Sequence, residues 1–221
     1  MLGLFDSGSG GLNTVRYVKE NAPDVDLIYL IDKRNAPYGI KTKKEILEIT
    51  KDNISSLEQS GAERILIACC TASTEHGLLD EHSRGISIPI VGEIANAARM
   101  ATRNRRVGVI ATAHTVNTHV FRSLLKGCDV FEAALGELVT RIDSGLTDDT
   151  VTPRDEVLIE EMLLPILVAR PDTLILGCTH FPALIKTIEK LTRPYGIDSF
   201  IDSARIGADL LINESRKLNG N

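Results

Sequence analysis

The chain has 221 residues, 43% of them hydrophobic, 25% charged and 4% aromatic, with a formal net charge of −5. The apolar content excludes an intrinsically disordered chain. The acidic balance argues against a broad nucleic-acid grip, which needs clustered Lys and Arg, and no apolar run approaches the ~20 residues of a membrane-spanning helix.

Short apolar runs alternate with longer amphipathic ones. Strands are expected at 2–5 and 27–31, separated by the glycine-rich run Ser7-Gly8-Ser9-Gly10-Gly11. Ile46, Thr50, Ile54 and Leu57 then share one face of a helix, with Lys44, Glu48, Lys51 and Glu58 available for solvent. Further strands are expected at 65–68, 88–91, 107–110 and 174–176. The basic run Arg103, Arg105 and Arg106 precedes one of them and reads as a solvated turn. Residues 156–169 read as a helix that Pro165 kinks or breaks. Residues 182–191 form another, with Pro182 in its first turn, and 204–218 close the chain. Consecutive Ile, Leu and Val suit strands buried on both faces, and the β-α alternation predicts an α/β fold with parallel sheets covered by helices.

A weak internal repeat accompanies this pattern. Gly3-Leu4-Phe5-Asp6 echoes Gly108-Val109-Ile110-Ala111, and Leu66-Ile67-Ala68-Cys69 echoes Ile175-Leu176-Gly177-Cys178. The second echo is the stronger, because each copy ends a strand with Cys followed closely by Thr (Thr71 and Thr179). Two pseudo-equivalent α/β halves follow, with the first domain expected at 1–92 plus 203–221 and the second at 93–202.

In open α/β sheets the ligand crevice lies at the carboxyl ends of the strands. Four segments fall there: Asp6-Ser7-Gly8, Pro37-Tyr38-Gly39, Cys69-Cys70-Thr71 and Cys178-Thr179-His180. The four cysteines match no disulfide framework or C-x-x-C zinc pattern, and Cys128 lies in no such context. Met1 to Gly11 contain no basic stretch followed by an apolar one, so the expected location is cytoplasmic, with reduced thiols. A thiol before a helix N-terminus is expected to have a lowered pKa, although a buried Cys also simply packs. Asp6 is either a helix N-cap or a carboxylate among anion-holding N–H groups. A dinucleotide fingerprint would need Gly where Asn13 stands. His180, two residues after Cys178, can carry a proton for that thiol. His76, His82, His114 and His119 are too scattered for a metal and read as surface or capping groups. Ser7, Thr71, Thr112, Thr115 and Thr179 are each caps, or together a cradle for a small carboxylate or phosphate.

Taken in order, these segments resemble the glutamate racemase family, within the wider aspartate/glutamate racemase superfamily. Asp6-Ser7-Gly8 is similar to its first loop and Pro37-Tyr38-Gly39 to its Pro-Tyr-Gly turn. Ala68-Cys69-Cys70-Thr71-Ala72-Ser73 resembles its Ala-Cys-Asn-Thr-Ala-Ser motif, and Leu176-Gly177-Cys178-Thr179-His180 its Gly-Cys-Thr-His motif. The resemblance implies two pseudo-symmetric α/β domains with the active site in the cleft between them, no cofactor and no metal. It implies that Cys69 and Cys178 exchange the α-proton of an acidic amino acid, tuned by Asp6 and His180. Ser7, Pro37, Tyr38, Gly39, Cys70, Thr71, Thr115 and Thr179 then surround the substrate. It further implies a homodimer and D-glutamate as a product for peptidoglycan, with glutamate as the first expected substrate. Aspartate, another amino acid, or a weak or inactive carboxylate-binding homologue are the alternatives. The departures are Cys70 in place of the family's Asn, Ile31 in place of a Gly, 33–36 in an unusual sequence, Leu135-Gly136 in place of Cys-Pro, and Asp143 at a position usually held by Glu.

Overall fold

The computed structural model describes residues 1–218 and 220, which separate into two compact units, 1–90 with 203 onward, and 91–202. The first contains β1 (Leu2–Asp6), α1 (Gly11–Asn21), β2 (Leu27–Ile31), α2 (Lys43–Gln59), β3 (Arg64–Ile67), α3 (Cys70–Ser73), α4 (Glu81–Ile86) and β4 (Ser87–Pro89). Helix α5 (Ile90–Ala101) leads into the second unit. There follow β5 (Arg106–Ala111), α6 (Ala113–Thr118), α7 (Val120–Leu124), β6 (Asp129–Ala134), α8 (Gly136–Asp143), α9 (Pro153–Ala169), β7 (Thr173–Gly177), α10 (Ile185–Thr192) and β8 (Ser199–Asp202). The chain returns to the first unit as α11 (Ser203–Leu218).

Each unit is a four-stranded, wholly parallel sheet, ordered β2-β1-β3-β4 in the first and β6-β5-β7-β8 in the second. The sequence echo is therefore a repeat of topology. It is also a repeat of register, since Phe5 opposite Ile67 in one sheet corresponds to Ile110 opposite Leu176 in the other. The central strands carry the runs of Ile, Leu and Val because both of their faces are covered. In the first unit Phe5, Ile65 and Ile67 pack on Ile46, Ile54 and Leu57 of α2, while Leu66 meets α11 at Gly207. In the second, Ile110, Leu174 and Leu176 pack on Ile159, Leu163, Ile166 and Leu167 of α9. Gly3 and Gly108 occupy equivalent places beneath these crossovers. A Cβ there would lie 3.0 Å from Ala62 and 2.7 Å from Ile166, respectively.

The two long crossover helices start alike. Thr42 and Glu45 form a reciprocal capping box on α2, and Thr152 and Asp155 form one on α9, with Pro153 at the first helical position. Of the kink or break expected at Pro165, the break does not occur: helix α9 runs continuously through it. Pro165 and Glu161, whose carbonyl loses its intrahelical partner, both lie on the exposed side, while the buried stripe holds the helix on the sheet. The helix expected from Pro182 begins at Ile185, after a 3-10 turn at Phe181–Leu184. Strand β4 ends at Pro89, because Ile90 and Val91 already belong to α5. Strands β6 and β8 have no counterpart among the strands expected from sequence. Both are sheet edges, and Asp129 and Glu132 interrupt the apolar run of β6. The basic run before β5 is tied down: Arg103 pairs with Asp198 at 2.6 Å, and Arg106 stacks on Phe131. Among the described residues no helix is long and apolar enough to cross a membrane.

Candidate active site

In a 2-1-3-4 parallel sheet the connections leave in opposite directions from the first and third strands, so a crevice opens beyond their carboxyl ends. In the first unit those ends are Asp6 and Ile67, and the residues just beyond them are Ser7 and Cys69. In the second they are Ala111 and Gly177, followed by Thr112 and Cys178. Each unit thus places one cysteine at its own topological switch point.

At the first point, a hydrogen-bond chain starts on the buried Cys69. Its Sγ donates to Ser7 Oγ at 3.4 Å, and Ser7 Oγ donates to Asp6 Oδ1 at 3.3 Å. Asp6 is fully buried, and the same Oδ1 accepts the Gly8 N–H at 3.1 Å. Asp6 is therefore not the N-cap of α1, which begins only at Gly11. Burial pushes the Cys69 thiol up to about 11, and the Asp6 carboxylate adds to that effect. Hydrogen bonds from Ser7 and from the Ala72 N–H oppose it. The expected lowering by a helix N-terminus fails because α3 is four residues long, while desolvation acts on a thiol that is almost wholly enclosed. A thiol of this kind rests protonated, and its thiolate is a strong base.

Tyr29 reaches the same loop from β2, although nothing in its local sequence singles it out. Its hydroxyl donates to the Gly8 carbonyl at 2.9 Å, and burial beside Asp6 and Cys69 raises its pKa. Gly11 admits that approach: a Cβ there would lie 2.6 Å from the Tyr29 hydroxyl and 2.8 Å from Asp6 Cβ.

In the Pro37-Tyr38-Gly39 segment, the extended Pro37 leads into a 3-10 turn at Tyr38–Ile40, with Pro37 exposed, Gly39 half-buried and Tyr38 buried. The Tyr38 ring packs in the same apolar cluster as Cys69. Its hydroxyl is committed to the carboxylate of Asp32, donating to Oδ2 at 2.6 Å. Asp32 also accepts from Asn35 and from Asn53, and these hydrogen bonds hold its carboxyl below the usual range despite burial. Asn53 escaped the sequence reading, yet it carried a signal: it is a polar residue on the buried face of α2, beside Thr50 and Ile54. Cys70, Thr71 and Thr179 are all buried.

The second switch point has a different partner set. Cys178 Sγ lies 3.4 Å from His180 Nδ1. His180 is buried, and its Nε2 is 2.8 Å from Asp143 Oδ1 at the end of α8. That second contact lies off the ring N–H direction and is not a well-formed hydrogen bond. An imidazole set between a carboxylate and a thiol can accept the thiol proton and return it. Thr112 caps α6, its Oγ1 accepting from the Thr115 N–H at 3.3 Å and lying 3.1 Å from Thr115 Oγ1. Both threonines sit at the carboxyl end of β5, beside Cys178.

The remaining histidines have other settings. His82 pairs with Glu58, and His119, in a left-handed conformation between α6 and α7, pairs with the buried Glu132. His76 is not a surface group, since burial lowers its pKa and its Nε2 is enclosed. No disulfide joins the four cysteines, and among the described residues no group of His, Cys, Asp and Glu is arranged to hold a metal ion.

Comparison with known proteins decides the lineage. The family model described as Asp/Glu/hydantoin racemase matches residues 13–211. The chain belongs to the Asp/Glu/hydantoin racemase family. Within it, the chain is 32% identical over 215 residues to a glutamate racemase of Aquifex aeolicus, covering 95% of this chain and 81% of that one. Among solved structures, a glutamate racemase of Bacillus anthracis superposes with a TM-score of 0.89 at 27% identity, covering all of this chain and 82% of that one. The Francisella tularensis glutamate racemase, solved in complex with D-glutamate, gives 0.87 at 27% identity, covering 99% and 81%. The two parallel sheets flanked by helices are the fold of these racemases, and the chain is an amino-acid racemase by family.

Proposed function

We propose that this racemase interconverts L- and D-glutamate by a two-thiol proton exchange that needs no cofactor. The observation that carries the reading is the placement of Cys69 and Cys178 at equivalent switch points of two repeated sheets, each with its own proton partners. The similarity to glutamate racemases, one of them holding D-glutamate, supports the substrate.

Turnover requires one sulfur as a thiolate and the other as a thiol, so the pair titrates as a unit. With Cys69 as thiolate, it takes the α-proton of one enantiomer. The C–H electron pair stays on the substrate, delocalised toward its carboxylate. Cys178 then donates its proton to the opposite face, which leaves Cys69 as thiol and Cys178 as thiolate, ready for the reverse reaction. The reading requires the two sulfurs to reach opposite faces of one α-carbon. Its physical difficulty is that an α-proton is far less acidic than a thiol. A base of raised pKa narrows that gap, and the burial and anionic neighbour of Cys69 supply one. The Asp6 carboxylate favours the thiol form that results, and His180, 3.4 Å from the sulfur, is the proton partner of Cys178. Ser7, Tyr38, Gly39, Cys70, Thr71, Thr115 and Thr179 are assigned to the substrate's polar groups, with Pro37 shaping the turn.

The test is α-proton exchange in D₂O followed by NMR, with L- and D-glutamate and then aspartate, for the wild type and for Cys69→Ala and Cys178→Ala. Interconversion by the wild type and its loss in both variants is the expected result. Full interconversion in either variant refutes the two-thiol mechanism, and exchange of aspartate alone refutes the substrate. Cys70, where the family motif has Asn, favours one second reading, a site retuned away from glutamate. Under that reading Cys70→Asn increases glutamate turnover.

A further inference from the structure

The Asp32 carboxylate is buried, and among the described residues no Lys, Arg or His pairs with it. Neutral donors take the place of a counter-ion. Asn35 offers its backbone N–H at 3.2 Å and its amide to both oxygens, at 3.1 and 2.9 Å. Tyr38 gives its hydroxyl proton at 2.6 Å. The remaining donor comes from a different element: Asn53 Nδ2, on α2, reaches Asp32 Oδ2 at 3.2 Å and the Tyr38 hydroxyl oxygen at 2.9 Å. Both of these neighbours need a donor, which fixes the orientation of the Asn53 amide. Asn35 belongs to the turn itself and moves with it. Asn53 is anchored in a 17-residue helix whose neighbouring Ile54 and Leu57 are core residues. It is therefore the hydrogen-bonded tie between the turn and the rigid body of the unit, beside the apolar packing of the Tyr38 ring.

We infer that Asn53 is a positioning residue for the racemase reaction, setting the Pro37-Tyr38-Gly39 turn against the substrate by donating at once to both members of the Tyr38–Asp32 pair. The inference rests on the reading above, in which that turn contacts substrate beside Cys69. A broken tie leaves the proton-transfer groups in place and misplaces a binding surface, so it acts on KM more than on kcat.

An isosteric change tests this. In Asn53→Asp the new carboxyl faces Asp32 at amide-contact distance. Two carboxylates so close share one proton, which raises one of their pKa values strongly. Protonated, the new side chain keeps one O–H for Asp32, whereas the Asn53 amide donates to both Asp32 and Tyr38; ionised, it repels Asp32. The titratable groups facing the network are Asp32, Tyr38 and Cys69, and α2 also brings Lys43, paired at 3.7 Å with Glu75 after α3. In the native protein Asp32 is held below the usual carboxylate range, Tyr38 above the usual phenol range and Cys69 near 11, so these three stay silent between pH 5 and 9.

The chain has four tyrosines, so ¹³Cζ-tyrosine NMR resolves Tyr38, assigned with Tyr38→Phe. The wild type, Asn53→Asp and Asn53→Ala are compared across that pH range, and KM and kcat for glutamate are measured on the same samples. The Tyr38 signal is expected to stay flat in the wild type and to titrate in Asn53→Asp. Across that titration the KM of Asn53→Asp relative to wild type rises about tenfold, with kcat changing less than about threefold. Asn53→Ala, which has no group to titrate, carries a raised KM at every pH. A flat Tyr38 signal in Asn53→Asp overturns the coupling, and a titrating signal with an unchanged KM ratio overturns the positioning role. A wild type that does not turn over glutamate counts against the racemase reading, while the Tyr38 signal still decides whether Asn53 holds the turn.

Discussion

Replacing Asp6 by Asn isolates the electrostatic part of the Cys69 environment. The amide is nearly isosteric, and its oxygen can still accept the Gly8 N–H, so the loop geometry survives while the charge goes. The links of 3.3 and 3.4 Å through Ser7 put Asp6 Oδ1 within about 7 Å of the Cys69 sulfur. At an effective dielectric of about 20, unit charges at that distance repel by about 2.4 kcal/mol, or about 1.7 pH units. The Cys69 thiol, at about 11 in the native protein, should then titrate about 1–2 units lower in Asp6→Asn, with desolvation, the larger cause of the elevation, still acting against the Ser7 and Ala72 hydrogen bonds. The readout is the ¹³Cβ shift of labelled cysteine against pH, with the Cys69 signal assigned from Cys69→Ser. The linked stability effect has a definite sign. A thiol whose folded pKa exceeds its unfolded value of about 9 stabilises the fold below that pH and ceases to do so as pH rises to about 11. Asp6→Asn should therefore lose less stability than wild type over that alkaline interval. A Cys69 midpoint equal to or above the wild-type value in Asp6→Asn would mean that the carboxylate does not act on the thiol, and the base-strengthening role given to Asp6 would fall.

Two further substitutions probe the scaffold. Gly11→Ala should destabilise the protein by about 1–3 kcal/mol in urea unfolding, because the added Cβ meets both the Tyr29 hydroxyl and Asp6 Cβ. A neutral result would show that the loop after β1 can yield without cost. Pro165→Ala should stabilise by about 2 kcal/mol, since a helix-interior Pro costs about 3 relative to Ala and its restriction of the unfolded chain returns up to about 1. The side chain is exposed, so no core contact is lost. An unchanged denaturation midpoint would show that α9 is already relaxed around Pro165.

What could be read without coordinates was whatever follows from local pattern and from motif order. Runs such as Leu66-Ile67-Ala68 identify strands covered on both faces, and the Cys69 and Cys178 echo marks a repeat that reappears as identical strand order and register. The edge strands of the first sheet were expected, but β6 and β8 of the second escaped; in β6, Asp129 and Glu132 break the apolar run, and the partners of Glu132, His119 and Arg122, come from elsewhere in the chain. The sign of the Cys69 shift escaped for a related reason. A helix N-terminus can be inferred from sequence, but the length of α3 and the degree of enclosure cannot, and desolvation is set by atoms that many segments bring together. Tyr29 and Asn53 show the same limit. Each earns its place through a contact 15 or more residues away, with Gly8 in one case and with Tyr38 and Asp32 in the other. Residue type and spacing alone determined which groups could do chemistry and at which strand ends they stand. Packing alone decided which of those groups are charged, which are tied to one another, and which side chains hold them there, because electrostatic and hydrogen-bond energies depend on distance and burial rather than on position along the chain.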